Sequence, residues 1–166
     1  MKRIARLILS AAVIVPALTM AAQGQGKPIL VVNLFTTATD VKVPYDMKQL
    51  QASAVAELGV MIKDIDVVAE KPKTPQGPVY TLDVQITGWR PGNAAKRVIV
   101  GFGSGREAAD ISYQVTDPGN KKVVEHVDTI RTNFYSQGSG SSGTLGHPFA
   151  QKITERIKDA KLFGLK

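Results

Sequence analysis

The stretch ADISYQVTDPGNKKVVEHVDTIRTN, residues 109–133, decides the fold class of this chain. Apolar and polar side chains alternate over its first eight residues, which is typical of a strand with one face against a core. The turn-forming segment Asp117–Asn120 (DPGN) follows, in which proline presets φ and glycine and asparagine tolerate positive φ. A second strand is expected from Lys122 to Asn133. The stretch therefore predicts an antiparallel hairpin.

Upstream of the hairpin, the sequence predicts a central strand, a helix and two more strands. The run Ile29–Phe35 (ILVVNLF) is apolar almost throughout, as expected for a strand covered on both faces. A helix is expected after Asp46, with Gln49 three residues on in the manner of a capping box. Its apolar stripe recurs at helical spacing and consists of Met47, Leu50, Ala54, Leu58, Met61 and Ile62. Further strands are expected at Ile65–Ala69 and Val79–Trp89.

The carboxyl-terminal part is predicted to be a flexible connector followed by a helix. Residues 136–146 (SQGSGSSGTLG) have the composition of a Gly/Ser linker. The last helix is expected to begin near His147 and Pro148, with His147 as its cap and proline in the first turn. Its apolar stripe consists of Phe149, Ile153, Ile157 and Ala160. The order β-α-β-β-β-β-α predicts an α+β domain, a mostly antiparallel sheet of about five strands with two packed helices.

The amino-terminal segment has the pattern of a cleavable signal peptide. Three basic residues without an acid precede an uncharged run over residues 7–22, and they are Lys2, Arg3 and Arg6. The competing interpretation is a retained anchor, but a spanning helix needs about 20 apolar residues, and this run is shorter. Small residues permit cleavage after Ala21 or after Gly24. We expect residues 1–24 to be removed and residues 25–166 to form one domain in the periplasm or outside the cell.

Loss of this leader changes the charge balance. The whole chain has 21 basic and 14 acidic residues, and removal of three basic residues leaves 18 against 14, a net charge of +4 instead of +7. That excess is ordinary for a single domain and does not indicate nucleic-acid binding. The chain has no cysteine, so it cannot carry a lipid on an amino-terminal cysteine or form a disulfide. We expect no lipid anchor and no transmembrane segment after cleavage.

The most unusual motif is a glycine loop, RVIVGFGSGR, at residues 97–106. Its G-x-G-x-G spacing is not the dinucleotide fingerprint, because an arginine occupies the place of the last spaced glycine. It also lacks the Lys and Ser/Thr of a phosphate loop. Exposed backbone amides beside arginines favour an anion- or partner-binding loop, whereas a tight bend would explain the glycines without a ligand. The candidate binding residues are Arg97, Gly101, Phe102, Gly103, Ser104, Gly105 and Arg106.

Catalytic groups are scarce. With no cysteine and only two histidines, His126 and His147, a hydrolytic site would need His126, Asp128 and a serine such as Ser104 or Ser112. A metal site would use His126 and Asp128 and be completed by another carboxylate. The carboxylates available for that role are Asp83, Asp110 and Glu125. Since no clustered spacing supports either site, we expect no catalytic residue, no bound metal and no cofactor.

Three motifs together resemble a known family. They are Tyr80–Asn93 (YTLDVQITGWRPGN), Val100–Gly105 (VGFGSG) and the turn Asp117–Asn120. The sequence is similar to the bacterial domain of unknown function 4410 family. This resemblance implies a small exported protein with a compact α+β fold, of the kind found in envelope lipoproteins and secretion accessories. It supplies no catalytic residue.

The expected function is therefore that of an exported, non-catalytic interaction module of the cell envelope. Its partner would be an envelope protein or an anionic envelope component, and nucleic acid is not expected. The alternative is an extracytoplasmic hydrolase or metal-dependent enzyme that uses His126 and Asp128.

Overall fold

The computed structural model of the protein describes residues 26–92, 107–131 and 143–165. The predicted signal peptide (1–24), the glycine loop (97–106) and residues 136–142 of the predicted connector lie outside them. The elements, in chain order, are β1 (Ile29–Val32), β2 (Thr36–Thr37), α1 (Met47–Met61), β3 (Asp66–Val68), β4 (Val79–Arg90), β5 (Ala108–Thr116), β6 (Lys122–Arg131), α2 (Gly143–Asp159) and a 3-10 turn (Leu162–Gly164).

The predicted α+β class is confirmed, but the sheet is mixed and not mostly antiparallel. Its strand order is β3-β1-β4-β5-β6, and β2 also pairs with β4. The pairs β1–β3, β1–β4 and β2–β4 are parallel, while β4–β5 and β5–β6 are antiparallel. The parallel direction of β3 follows from α1, whose 15 residues span about 22 Å and return the chain to the end of the sheet where β1 began. A strand that enters from that end must run parallel to β1.

The first strand is shorter than predicted and is continued by a second one. β1 pairs with Val79–Leu82 of β4, and β2 pairs with Gln85 and Ile86 further along the same strand. Between β1 and β2, the backbone amide of Asn33 donates to the backbone carbonyl of Leu82 at 2.9 Å. The segment after Phe35 therefore contributes a sixth strand, which the sequence did not predict. All four residues of β1 are buried, as its apolar sequence indicated.

Helix α1 begins where the sequence predicted. The Asp46 carboxylate accepts hydrogen bonds from the backbone amides of Lys48 at 2.7 Å and Gln49 at 3.3 Å, which satisfies two amides that lack partners within the helix. The predicted stripe faces the sheet: four of its residues are buried and the two methionines are partly buried, the buried ones being Leu50, Ala54, Leu58 and Ile62.

The predicted hairpin is confirmed as β5–β6. The Asp117 carboxylate accepts from the backbone amides of Gly119 at 2.8 Å and Lys121 at 2.9 Å, and Asn120 has a φ of 62°. The bond from Gly119 lies within the four-residue signal and the bond from Lys121 comes from the next residue, and together they close the turn as expected for an Asx-type turn. A register shift at the start of β6 places Lys122 opposite Thr116.

Helix α2 begins earlier than predicted. Gly143–Gly146 belong to the helix, so the connector prediction for residues 136–146 is wrong over its last four positions, and Pro148 lies inside the helix. The physical reason is tertiary: Leu145 is buried in the core, and Gly146 lies directly against Ser53 of α1. His147 does not cap the helix, because it lies inside it. Its Nδ1 atom is 2.8 Å from a carboxylate oxygen of Glu57 on α1.

The main core lies between the sheet and the two helices, which cover one face of β4, β5 and β6. The sheet contributes alternating residues such as Leu82 and Ile111, and α2 contributes Phe149, whose ring lies 4.9 Å from that of Phe35. At one end, Phe163 of the 3-10 turn packs edge-on against Tyr80. On the other face of these strands, the described polar side chains are half-buried or exposed.

Candidate functional site

The face of β4, β5 and β6 opposite the helices is polar. Because side chains alternate along a strand, every second residue of each strand points away from the core. The register aligns Asp83 with Gln114, Gln85 with Ser112, and Gln114 with Glu125 across the three strands. We call this surface the open face and define it by six residues: Asp83, Gln85, Ser112, Gln114, Glu125 and Val127.

A groove of about 230 Å³ runs across the open face. Its apolar rim is formed by Leu34, which is half exposed, and its polar wall by the five polar residues of the open face, Asp83, Gln85, Ser112, Gln114 and Glu125. This volume is below the roughly 300–1,000 Å³ of small-molecule pockets. The size and the polar lining favour contact with part of a larger partner over enclosure of a substrate.

Hydrogen bonds hold the acidic wall of the groove in place. Asn33 Nδ2 donates to Asp83 Oδ1 at 2.6 Å, and Gln114 Nε2 donates to Asp83 Oδ2 at 3.3 Å. On the same edge of β4, Thr36 Oγ1 donates to the Val84 carbonyl at 3.3 Å, which fixes the short strand β2 beside β4. The groove is thus preorganised by three elements that lie far apart in sequence.

A second polar cluster lies at the end of the open face nearest the glycine loop in sequence. Arg90 donates two hydrogen bonds to Asp110, at 2.7 and 2.9 Å, and Thr129 Oγ1 donates to the same carboxylate at 2.5 Å. These bonds hold the pKa of Asp110 below its usual value, and the hydrogen bond from Arg90 has the largest effect. Gly88 leaves room for this pair, since a Cβ atom there would lie 2.9 Å from Asp110 Oδ2.

The residues that flank the glycine loop are tied together across the sheet. Trp89 Nε1 donates to Glu107 Oε1 at 3.0 Å, and burial raises the pKa of Glu107. The predicted binding residues themselves, Arg97, Gly101, Phe102, Gly103, Ser104, Gly105 and Arg106, lie outside the described residues. Their proposed role stays a prediction.

Asp128 lies on the helix side of the sheet and links it to α2. Its carboxylate accepts from Tyr113 Oη at 2.6 Å and from Arg156 at 2.9 and 3.2 Å. The Arg156 hydrogen bond is the main reason why the pKa of Asp128 is lowered. Burial and then the bond to Asp128 raise the pKa of Tyr113. No pattern in the sequence signals this network, because Arg156 lies 28 residues beyond Asp128.

The groups considered for catalysis are not brought together. His126 shares the face of Asp128, and its ring lies 6.2 Å from that of Tyr113. Four of the groups that could complete a site lie on the opposite face, and they are Ser112, Asp83, Asp110 and Glu125. The other candidate serine, Ser104, lies outside the described residues. Within residues 26–92, 107–131 and 143–165, no three His, Cys, Asp or Glu side chains cluster as metal ligands would.

The pKa shift of Asp128 predicts a specific acid dependence. A carboxyl with a lowered pKa in the folded state adds stability above its unfolded pKa of about 3.9, and this contribution is lost as pH falls through the folded value. We expect Asp128→Asn to be less stable than wild type at neutral pH, with a difference that shrinks below about pH 4. Urea denaturation of both proteins across this range measures it. A difference in stability that does not change with pH would contradict the lowered pKa of Asp128. Asp110, whose pKa is also lowered, is present in both proteins, so its contribution cancels in the comparison.

A family model described as a domain of unknown function, DUF4410, matches residues 37–136. The chain belongs to this family. The matched part of this DUF4410 protein begins at the end of β2 and includes α1, β3, β4, β5 and β6. It therefore contains most of the groove and the whole hairpin, whereas α2 follows it.

Solved structures share the fold of this DUF4410 protein. The hypothetical protein CT253 from Chlamydia trachomatis aligns with a TM-score of 0.55 at 8% identity, covering 83% of this chain and 98% of that one. An uncharacterized protein aligns with a TM-score of 0.51 at 14% identity, covering 81% and 95%. The PelC dodecamer from Paraburkholderia phytofirmans aligns with a TM-score of 0.49 at 17% identity, covering 78% and 87%. At such identities, the likeness to the first two structures, whose TM-scores are above 0.5, shows the fold alone.

No curated protein matches the DUF4410 chain in sequence. Among its described helices, none is both long enough and apolar enough to cross a membrane.

Proposed function

We propose that this DUF4410 protein is an exported, non-catalytic interaction module that binds a protein of the cell envelope through its open face. The proposal of export rests on the charged and apolar pattern of residues 1–24. The proposal of binding rests on one observation, the preorganised polar groove on a sheet face that the helices leave uncovered.

The chemistry of the groove suits a polypeptide. Gln85, Ser112 and Gln114 offer both donors and acceptors, which can satisfy backbone groups of a partner segment. Asp83 and Glu125 add negative charge, which disfavours an anionic ligand at this place and favours a segment with basic side chains. An anionic envelope component would have to bind elsewhere, at the arginines of the glycine loop.

The ion pairs on the helix side support a structural role for the acidic residues there. Asp128 is the candidate base-orienting group of the enzyme alternative, yet its hydrogen bonds go to Tyr113 and Arg156. A carboxylate that joins the sheet to α2 stabilises the fold, and no further observation favours the enzyme.

The test is affinity capture of envelope proteins on the full chain, expressed with its own leader and a carboxyl-terminal tag. Mass spectrometry of the recovered protein should find its amino terminus after Ala21 or Gly24. A partner should be recovered, and Gln85→Arg should weaken its binding by at least about tenfold, because a bulky cation fills the groove. Gln85 is exposed, so this variant is expected to fold.

Matched variants separate the competing functions. His126→Ala should leave partner binding unchanged, and so should Val60→Lys on the exposed side of α1. Binding that survives Gln85→Arg but is lost in an Arg97→Glu, Arg106→Glu double variant would place the contact at the glycine loop and refute the groove. A hydrolytic activity abolished by His126→Ala would refute the non-catalytic assignment, and an uncleaved amino terminus would refute export by this leader.

A further inference from the structure

The last strand of the sheet, β6, has an edge that no other described strand covers. β6 contains ten residues and pairs with β5 alone among the strands in residues 26–92 and 107–131. Every second residue of such a strand presents its backbone amide and carbonyl to the outside, which makes it a template for another strand. At its centre is Val127, whose side chain is 72% exposed.

The sequence of β6 is complementary to itself about Val127. If two copies pair antiparallel with Val127 opposite Val127, then His126 faces Asp128 of the second copy and Val124 faces its Ile130. Glu125 faces Thr129 of the second copy, whose hydroxyl already donates to Asp110, so this pair adds side-chain contact and no hydrogen bond. Side chains directly opposite one another lie about 4.5–5.5 Å apart at Cβ, so each of these pairs can interact.

Neighbouring registers are worse. Centring the pair on Asp128 or on Glu125 places two carboxylates opposite one another, which is destabilising. Centring it on His126 places the carboxylate of Asp128 opposite the apolar Val124. A slip by one residue is excluded, because it would turn one copy's apolar face toward solvent. Charge complementarity therefore selects the Val127 register.

We propose that β6 pairs with β6 of a second copy of this chain, antiparallel, about a twofold axis at Val127. Such an interface uses the same patch on both copies and joins the two sheets edge to edge. It goes beyond the proposed function, since it requires neither export nor the partner of the groove.

Asp128 has the capacity for this additional contact. Its carboxylate has about four acceptor sites, and three are used within the chain by Tyr113 and the two nitrogens of Arg156. The remaining site is on Oδ1, which accepts only from Arg156 Nη2 among the described contacts. A His126 N–H of the second copy can donate to it without breaking the link between sheet and helix.

A single cysteine tests the register, because the chain contains none. Under mild oxidation, Val127→Cys should form a covalent dimer on a non-reducing denaturing gel, since the two thiols face each other across the axis. Glu125→Cys should not, because its two copies would lie about 14 Å apart along the strands. Val60→Cys provides the exposure-matched control, as Val60 is 71% exposed on α1. Equal rates of cross-linking for Val127→Cys and Val60→Cys would overturn the proposal.

Sedimentation velocity of the purified full chain tests the association itself. The wild type should show a concentration-dependent dimer, and Val127→Lys should raise the dissociation constant by at least about tenfold, because it places two ammonium groups opposite one another. Val60→Lys should leave the dissociation constant unchanged. A wild type that stays monomeric, or a dimer indifferent to Val127→Lys, would overturn the proposal. Neither result depends on capture of an envelope partner, so failure of one proposal is distinguishable from failure of the other.

Discussion

Replacing Phe149 with alanine is expected to lower the free energy of unfolding by about 3–5 kcal/mol. The Phe149 side chain is almost wholly buried and lies 4.9 Å, ring to ring, from Phe35 beside the sheet. Its removal deletes the aromatic contact between α2 and the rest of the core and leaves a cavity that rigid neighbours cannot fill. Urea denaturation followed by circular dichroism measures the change.

Phe149→Leu is the matched control for this prediction. It keeps most of the apolar volume and loses the ring contact, so we expect a cost well below that of alanine, on the order of 1–2 kcal/mol. A loss of less than about 1 kcal/mol for Phe149→Ala would contradict the packing of α2 described here. The result matters beyond stability, because α2 follows the segment that matches the DUF4410 family and yet completes its core.

Replacing Gly146 with valine is expected to destabilise the protein by about 2–3 kcal/mol, through overpacking between the two helices. A Cβ atom at Gly146 would lie 2.8 Å from Ser53 Cβ, closer than two carbon atoms can approach, so α1 and α2 would have to separate. The same separation would strain the contact between His147 Nδ1 and the Glu57 carboxylate. Thermal or urea denaturation measures the loss.

Gly59 is the matched control on the other helix. A Cβ atom there meets nothing within 4 Å. Gly59→Ala should therefore stabilise the protein by about 0.5–1 kcal/mol, because alanine has the higher helix propensity. The substitutions at Gly146 and Gly59 are thus expected to change the free energy of unfolding in opposite directions.

A double variant tests the contact between the two helices. Ser53→Gly combined with Gly146→Ala should recover part of the stability lost in Gly146→Ala alone. Independent effects at the two sites would contradict direct contact.

The local elements could be predicted from the sequence because their signals lie within a few residues of the structure that they specify. Asp46 caps the helix that it precedes, and Asp117–Asn120 closes the turn that it forms. Alternation also agrees with the two faces of β4, because Leu82, Val84 and Ile86 are buried and the residues between them are not. These features depend on neighbouring backbone groups and on a period of two, and both can be read along the chain.

The site depended on pairings that alternation does not encode. The groove needs β2 beside β4, and β2 has only two residues, too few for a periodic signal. The parallel direction of β1 and β3 was missed, although it follows from the helix between them. The start of α2 was misplaced because a Gly/Ser composition predicts a linker, whereas burial of Leu145 and the close approach of Gly146 to Ser53 hold these residues in a helix.

By itself, the sequence determined the α+β class, the hairpin, the cap of α1 and the absence of thiol chemistry, since each follows from residue type or local spacing. Only the tertiary structure decided that Asp128 binds Arg156 and Tyr113, that Asp83 forms a groove with Asn33 and Gln114, and that β6 lies at the end of the described sheet. These contacts join residues 15 to 50 positions apart. Their partners are chosen by the packing of whole elements, which no local pattern records.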